Sequence, residues 1–164
     1  MPVDPADFRR ALGQFAAGVT VVTTRDGQGR SLGLTVTAFA SVSLDPALVL
    51  VCVDHRSETH AGFRHEGLFG VSILAEGQEE VSRRFAGGGP AKFTGLELGR
   101  GTTGVPLIPG AVAHLECRVI ATHVAGDHTI YVGEVLSAEV RPGRPLLYHD
   151  RRYRRLAPGE EPEE

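Results

Sequence analysis

A chain of 164 residues with 41% hydrophobic content and a formal charge of −3 fits one domain with a sizeable core, and it lacks the basic excess that nucleic acid or an anionic membrane would require. No apolar run reaches membrane-spanning length, and the opening Met1 to Pro5 lacks the charged and apolar regions of a signal peptide, so cytoplasmic residence is expected. Cys52 and Cys117 each lie inside an apolar run and read as free thiols, and Lys92 is the only lysine.

Asp4 and Pro5 form an N-cap and a first helical proline, and Phe8, Leu12 and Phe15 make one apolar stripe, which predicts a helix ending near Gly18. Val19 to Thr24 is β-branched and runs into the turn-forming Arg25 to Arg30, which predicts a hairpin with the next strand.

That next strand spans Leu34 to Leu44 in period two. Leu34, Val36, Ala38, Ala40, Val42 and Leu44 make one face, and Thr35, Thr37, Phe39, Ser41 and Ser43 the other. The second face carries hydroxyls and a ring but no charge. Two readings stand: an ordinary sheet strand, or a platform for a planar, hydrogen-bonding ligand that small residues let approach closely.

Pro46 marks a break, and Ala47 to Val53 reads as a strand buried on both faces. The chain then turns abruptly polar from Asp54 to His60. Arg56, Ser57 and Thr59 fall between a strand end and a helix start, which suits either a phosphate site or a plain helix cap. His55, His60 and His65 recur every five residues, a step that points imidazoles apart on a helix, and no metal site is expected.

Leu68 to Leu74 is a strand, and Gln78 to Phe85 a helix with Val81 and Phe85 on one face. The Gly87-Gly88-Gly89 run that follows reads as a mobile segment, lacking phosphate-loop and dinucleotide spacings. Lys92 and Phe93 after it either close over an anion and a flat ligand or form an exposed lysine beside a small apolar cluster. Residues 99–110 should be irregular. Ala111 to Ala125 and Thr129 to Val140 read as two long strands joined at Gly126-Asp127-His128, where His128 serves turn chemistry or stands over a pocket mouth. The segment from Pro145 to Leu156 interleaves Tyr148 and Tyr153 with arginines; it reads as a docking strand, since acidic residues rather than a basic run follow it.

Several motifs in order, Phe15-Ala-Ala-Gly-Val-Thr-Val-Val, Gly33 to Pro46, Phe69-Gly-Val-Ser-Ile-Leu-Ala, Arg84-Phe85, Lys92-Phe93, Gly126-Asp-His128 and Pro145-Leu-Leu-Tyr, resemble the short-chain flavin reductases of two-component flavin-dependent monooxygenases. The resemblance runs from about Phe8 to Leu156. It implies a mainly β fold with flanking helices, a flavin-reductase-like split β-barrel over residues 1–157 followed by an acidic tail at 158–164. It further implies a homodimer in which NADH or NADPH reduces FMN or FAD, the reduced flavin then passing to a partner oxygenase. A non-enzymatic flavin carrier or sensor of the same fold is the alternative.

The flavin contacts implied by the resemblance fall on Thr37, Ala38, Phe39, Ala40, Ser41, Ser43 and Leu44, on the turn Ser57, Glu58, Thr59 and His60, and on Lys92 and Phe93. Thr35 and Arg56 join them from the local argument. Tyr148 to Arg151 and the Gly126-Asp127-His128 motif resemble the nicotinamide side, with His128 as an orienting or charge-stabilising catalytic group. One departure stands out: many relatives carry Asn where this chain has Ser72. Hydride transfer needs two flat rings held in contact, so no proton-shuttling dyad is expected.

Overall fold

A computed structural model of the protein describes residues 1–159. In chain order the elements are α1 (Pro5–Leu12), β1 (Ala17–Gly18), β2 (Thr20–Arg25), β3 (Ser31–Val36), β4 (Phe39–Leu44), β5 (Ala47–Asp54), α2 (Glu58–Glu66), β6 (Leu68–Ile73), α3 (Glu79–Ala86) and a 3₁₀ turn at Pro90–Phe93. Then follow β7 (Gly99–Arg100), β8 (Pro106–Leu107), β9 (Ala113–Ala125), β10 (His128–Val140), β11 (Leu147–His149) and β12 (Arg152–Arg154). The tail expected at 158–164 lies, from residue 160 on, outside the described residues.

Seven strands form one antiparallel sheet in the order β3-β2-β6-β9-β10-β5-β4. Its two ends approach each other, because Val36 of β3 shares a core cluster with Val49, Val51 and Val53 of β5. The sheet therefore wraps into an incompletely closed barrel. Phe63, Phe69, Cys117 and Tyr131 fill its interior, and each buried ring contributes roughly 1.5–3 kcal/mol of transfer free energy. Burial pushes the Cys117 thiol up to about 12, so it behaves as a small hydrophobe.

A second cluster lies outside the wall: Val19, Val21, Leu74, Phe85, Ile108 and Leu146 pack under α3 and the small sheet β1-β11-β12. This is why the β-branched run at 19–24 is buried on both faces.

Local chemistry sets the helix limits. Asp4 accepts from the amides of Ala6 and Asp7 at 2.8 and 3.3 Å, starting α1. It ends at Leu12 rather than near Gly18, and Phe8, Leu12 and Phe15 remain at least half exposed. Ser57 caps α2 by accepting from the Thr59 amide at 3.2 Å. Gly67, with φ of +68°, ends it.

The stretch from Leu34 to Leu44 is two strands, not one. The Phe39 amide turns back to the Thr37 carbonyl at 2.9 Å; β3 pairs β2, while β4 crosses to β5. Nor is its even face core: Val36 is buried, but Val42 and Leu44 are exposed on an edge strand. The strand Ala47–Asp54, expected to be buried on both faces, alternates instead, with Val49, Val51 and Val53 inward and Leu48, Leu50 and Cys52 half-buried. The β9-β10 hairpin forms where expected, turning at Gly126 with φ of +63°.

Candidate functional site

The split between β3 and β5 opens into a cleft of about 420 Å³ lined by Leu34, Thr35, Asp54, Arg56, Ser57, Glu58, Phe85, Ala86, Gly87, Gly88 and Lys92. Five residues singled out in the sequence meet here: Thr35, Arg56, Ser57, Glu58 and Lys92. Thr35 donates its hydroxyl to the Ser82 carbonyl at 2.6 Å, tying β3 to α3. Lys92 reaches across the cleft to the Gly33 carbonyl at 3.0 Å. Burial pushes its ammonium below the ordinary lysine value, and Glu58 opposes that shift. Two of its three protons remain for a ligand.

Arg56 is not idle. It forks onto Asp54, with Nη2 to Oδ2 at 2.7 Å, and holds that carboxyl far below the usual carboxylate range. Its own guanidinium rises in consequence. In the turn from residue 56 to 60, the amides of Arg56, Ser57, Thr59 and His60 find acceptors at Asp54 or Ser57. Glu58, at the positive end of α2, keeps its amide for an incoming anion. Thr59 is buried, so its side chain belongs to the core.

Phe93 turns inward and meets Phe85 edge to face, ring centroids 4.9 Å apart, above the bare Cα of Gly33. It packs the cleft wall and is not a free lid.

Ala38, Phe39, Ala40, Ser41, Ser43 and Leu44 lie beyond this cleft on the sheet's edge. The Cys52 amide donates to the Ala38 carbonyl at 3.1 Å. By strict alternation Ala40 also faces Leu50 as a hydrogen-bonded pair, so Ser41 presents its amide and carbonyl outward from the sheet. Small side chains beside unpaired backbone donors and acceptors suit a flat ring system with mixed heteroatoms.

Thr37 lies in a second cleft of about 200 Å³, with Tyr148, Arg151 and the residues Arg9, Leu12, Gly13 and Phe15 near the end of α1. Tyr148 and Arg151 also border a broader groove of about 700 Å³ beside Arg83 and Tyr153. Asp150 and Arg151 have φ of 50° and 59°, and the Asp150 amide is fixed to the Gly13 carbonyl at 2.8 Å. His128 stands elsewhere, at the start of β10 opposite Asp54, with Nδ1 2.7 Å from Asp127 Oδ1. That contact lowers the Asp127 carboxyl.

A model of the flavin reductase like domain matches residues 12–157. This chain belongs to the flavin reductase-like family. Over 156 residues it is 44% identical to an NADH-dependent flavin reductase of Rhodococcus sp, covering 94% of this chain and 88% of that one. It is 45% identical over 150 residues to the reductase component of 4-hydroxyphenylacetate 3-monooxygenase from Thermus thermophilus, covering 91% and 95%. Among solved structures, the NADH:FAD oxidoreductase SgcE6 of Streptomyces globisporus C-1027, in complex with NAD and FAD fragments, superposes with a TM-score of 0.90 at 41% identity, covering 98% of this chain and 99% of that one.

The flavin reductase-like barrel also accounts for Ser72: it is fully buried, and its hydroxyl accepts from the Ile108 amide at 3.0 Å, pinning the loop before β9. Sequence reasoning missed Asp54 and the glycine run as cleft lining. The abrupt polar turn after Val53 was the signal for Asp54. The glycines left none beyond mobility, since their use here is to leave room. Also missed was Tyr131, whose aromatic apolar setting on β10 hides a hydroxyl bound to His60 Nδ1 at 2.7 Å.

Proposed function

We propose that this chain is an NADH-dependent flavin reductase that moves a hydride from the nicotinamide to FMN or FAD and releases reduced flavin to a partner monooxygenase. The observation that carries the reading is the extent of the family match, residues 12–157, which takes in the first cleft, all of the second but Arg9, the edge strand and the hairpin tip together. When bound, the nicotinamide supplies the hydride and the flavin ring accepts it.

The residues present fit that pair of ligands. Edge strand β4 offers the flavin ring a surface of Ala38, Ala40 and Ser41 with open backbone groups, and Thr37 and Phe39 frame it. At the phosphate end, Lys92, the Glu58 amide, Ser57 and the free face of Arg56 supply charge and donors. His60 and Thr59 hold that turn in place. On the nicotinamide side, Tyr148 and Arg151 provide a flat face and a cation; His128, at the hairpin tip opposite Asp54, is assigned there by the resemblance of the Gly126-Asp127-His128 motif alone. The chain's work is to hold two planes in contact and keep them dry.

The reading includes a homodimer in the cytoplasm, where NADH is at hand. Phe15, Leu44, Val124 and Val140 are each at least three-quarters exposed, apolar side chains that a second copy could cover. Light scattering should give twice the 17.5 kDa chain mass at micromolar concentration; the single mass would remove the dimer from the reading. Purified protein titrated in parallel with FMN and FAD, then supplied with NADH or NADPH, tests the ligands. Flavin-dependent NADH consumption is expected, and its absence with all four pairings would overturn the assignment.

A further inference from the structure

Tyr131 is 1% exposed and lies in the barrel core with its ring 4.5 Å from that of Phe63. A hydroxyl so buried needs a partner. It has one in His60 Nδ1 at 2.7 Å. On the same strand the Thr129 hydroxyl lies 2.9 Å from His55 Nε2. A neutral His60 with its proton on Nε2 accepts the Tyr131 O–H at Nδ1.

His60 belongs to the turn that Ser57 organises: its amide donates to the Ser57 carbonyl at 3.1 Å. We infer that Tyr131 is a positioning residue, whose hydroxyl, acting through neutral His60, fixes the first turn of α2 and so the phosphate end of the flavin cleft. The inference rests on the flavin reading given above. Among the described residues, the titratable and charged groups facing His60 are His55 in the turn after β5, Arg64 on its own helix and Tyr131 on β10. β3 and β6 present none, and Arg25 of β2 is paired with Glu66. Burial lowers the His60 imidazole, with His55 and Arg64 adding to the effect. The neutral form therefore holds near neutrality, and a proton on Nδ1 at lower pH replaces the acceptor with a second donor.

FAD is the probe, because its pyrophosphate keeps a constant charge where the phosphate of FMN titrates. For the unsubstituted chain, FAD affinity should hold from about pH 8 to neutrality and fall only as pH drops below the ordinary imidazole value of about 6.5, because burial lowers His60. Tyr131→Phe keeps the ring in the core and should bind FAD about fivefold more weakly at the upper pH, with the slope flattened. His60→Asn removes the ionisable ring and should lose the slope. Ring ¹⁵N spectra supply a second readout: His60 carries its proton on Nε2, and Tyr131→Phe raises its pKa by removing a donor to the neutral form. FAD binding and His60 titration in Tyr131→Phe identical to the unsubstituted chain would overturn the inference alone. No FAD binding by the unsubstituted chain at any pH would overturn the flavin reading beneath it.

Discussion

Lys92, the only lysine in the chain, donates its ammonium to the Gly33 carbonyl at 3.0 Å and thereby bridges the 3₁₀ turn after α3 to strand β3 at one end of the sheet. A cation half-withdrawn from water, with protons to spare, is poised for an anion. Lys92→Met keeps the stem and removes the charge. It should weaken FMN binding at least tenfold, about 1.4 kcal/mol, with the melting temperature nearly unchanged. FMN affinity equal to the unsubstituted chain would make Lys92 a strut between two elements and nothing more.

The barrel's tightest approach predicts a purely structural effect. A Cβ on Gly133 would lie 2.5 Å from Phe69 Cζ and 3.0 Å from Cys117 Cβ, and both residues are fully buried. Gly133→Ala should cost about 1–3 kcal/mol in urea unfolding. No loss would mean that the Phe69 ring can give way.

On the edge strand, Ser41→Leu adds bulk to an exposed position and Ser43→Leu to a half-buried one, both outside the core. Flavin affinity should drop at least tenfold, about 1.4 kcal/mol, while circular dichroism stays the same. A folded variant of either kind that binds flavin normally would return β4 to the status of an ordinary edge.

His128 and Arg151 should separate the two ligands kinetically. His128→Ala and Arg151→Ala are expected to raise the NADH KM or lower kcat, with flavin Kd nearly constant. Arg151 also holds φ at 59°, where a side chain costs about 1–2 kcal/mol. Arg151→Gly should therefore be more stable than Arg151→Ala while showing the same NADH defect. A shift in flavin Kd instead would move both residues to the flavin side.

Much of the fold was legible because its signals are local. The hairpin of β9 and β10 begins and ends within two residues of its expected limits, since alternation and the glycine turn are both written in the chain. The partition of Leu34 to Leu44 was not. Period two persists through Thr37 and Ala38, and nothing in that alternation says that the first half pairs β2 and the second β5. The stripe of Phe8, Leu12 and Phe15 has helical spacing, yet α1 stops at Leu12 and buries none of it, because spacing gives a face and not its partner. At the site, the hydroxyls and cations that meet in the cleft could be named from the sequence. What they were already bonded to could not: Thr35 to Ser82, Arg56 to Asp54 and Tyr131 to His60 are contacts across elements 2 to 71 residues apart.

The central claim is hydride transfer between two bound planes, and anaerobic mixing of the protein with FAD or FMN and excess NADH tests it most directly. The flavin's visible absorbance should bleach in step with NADH oxidation, one flavin for each NADH, far faster than in a protein-free mixture. Flavin that binds but bleaches no faster than without the protein would contradict the account and make the chain a flavin carrier.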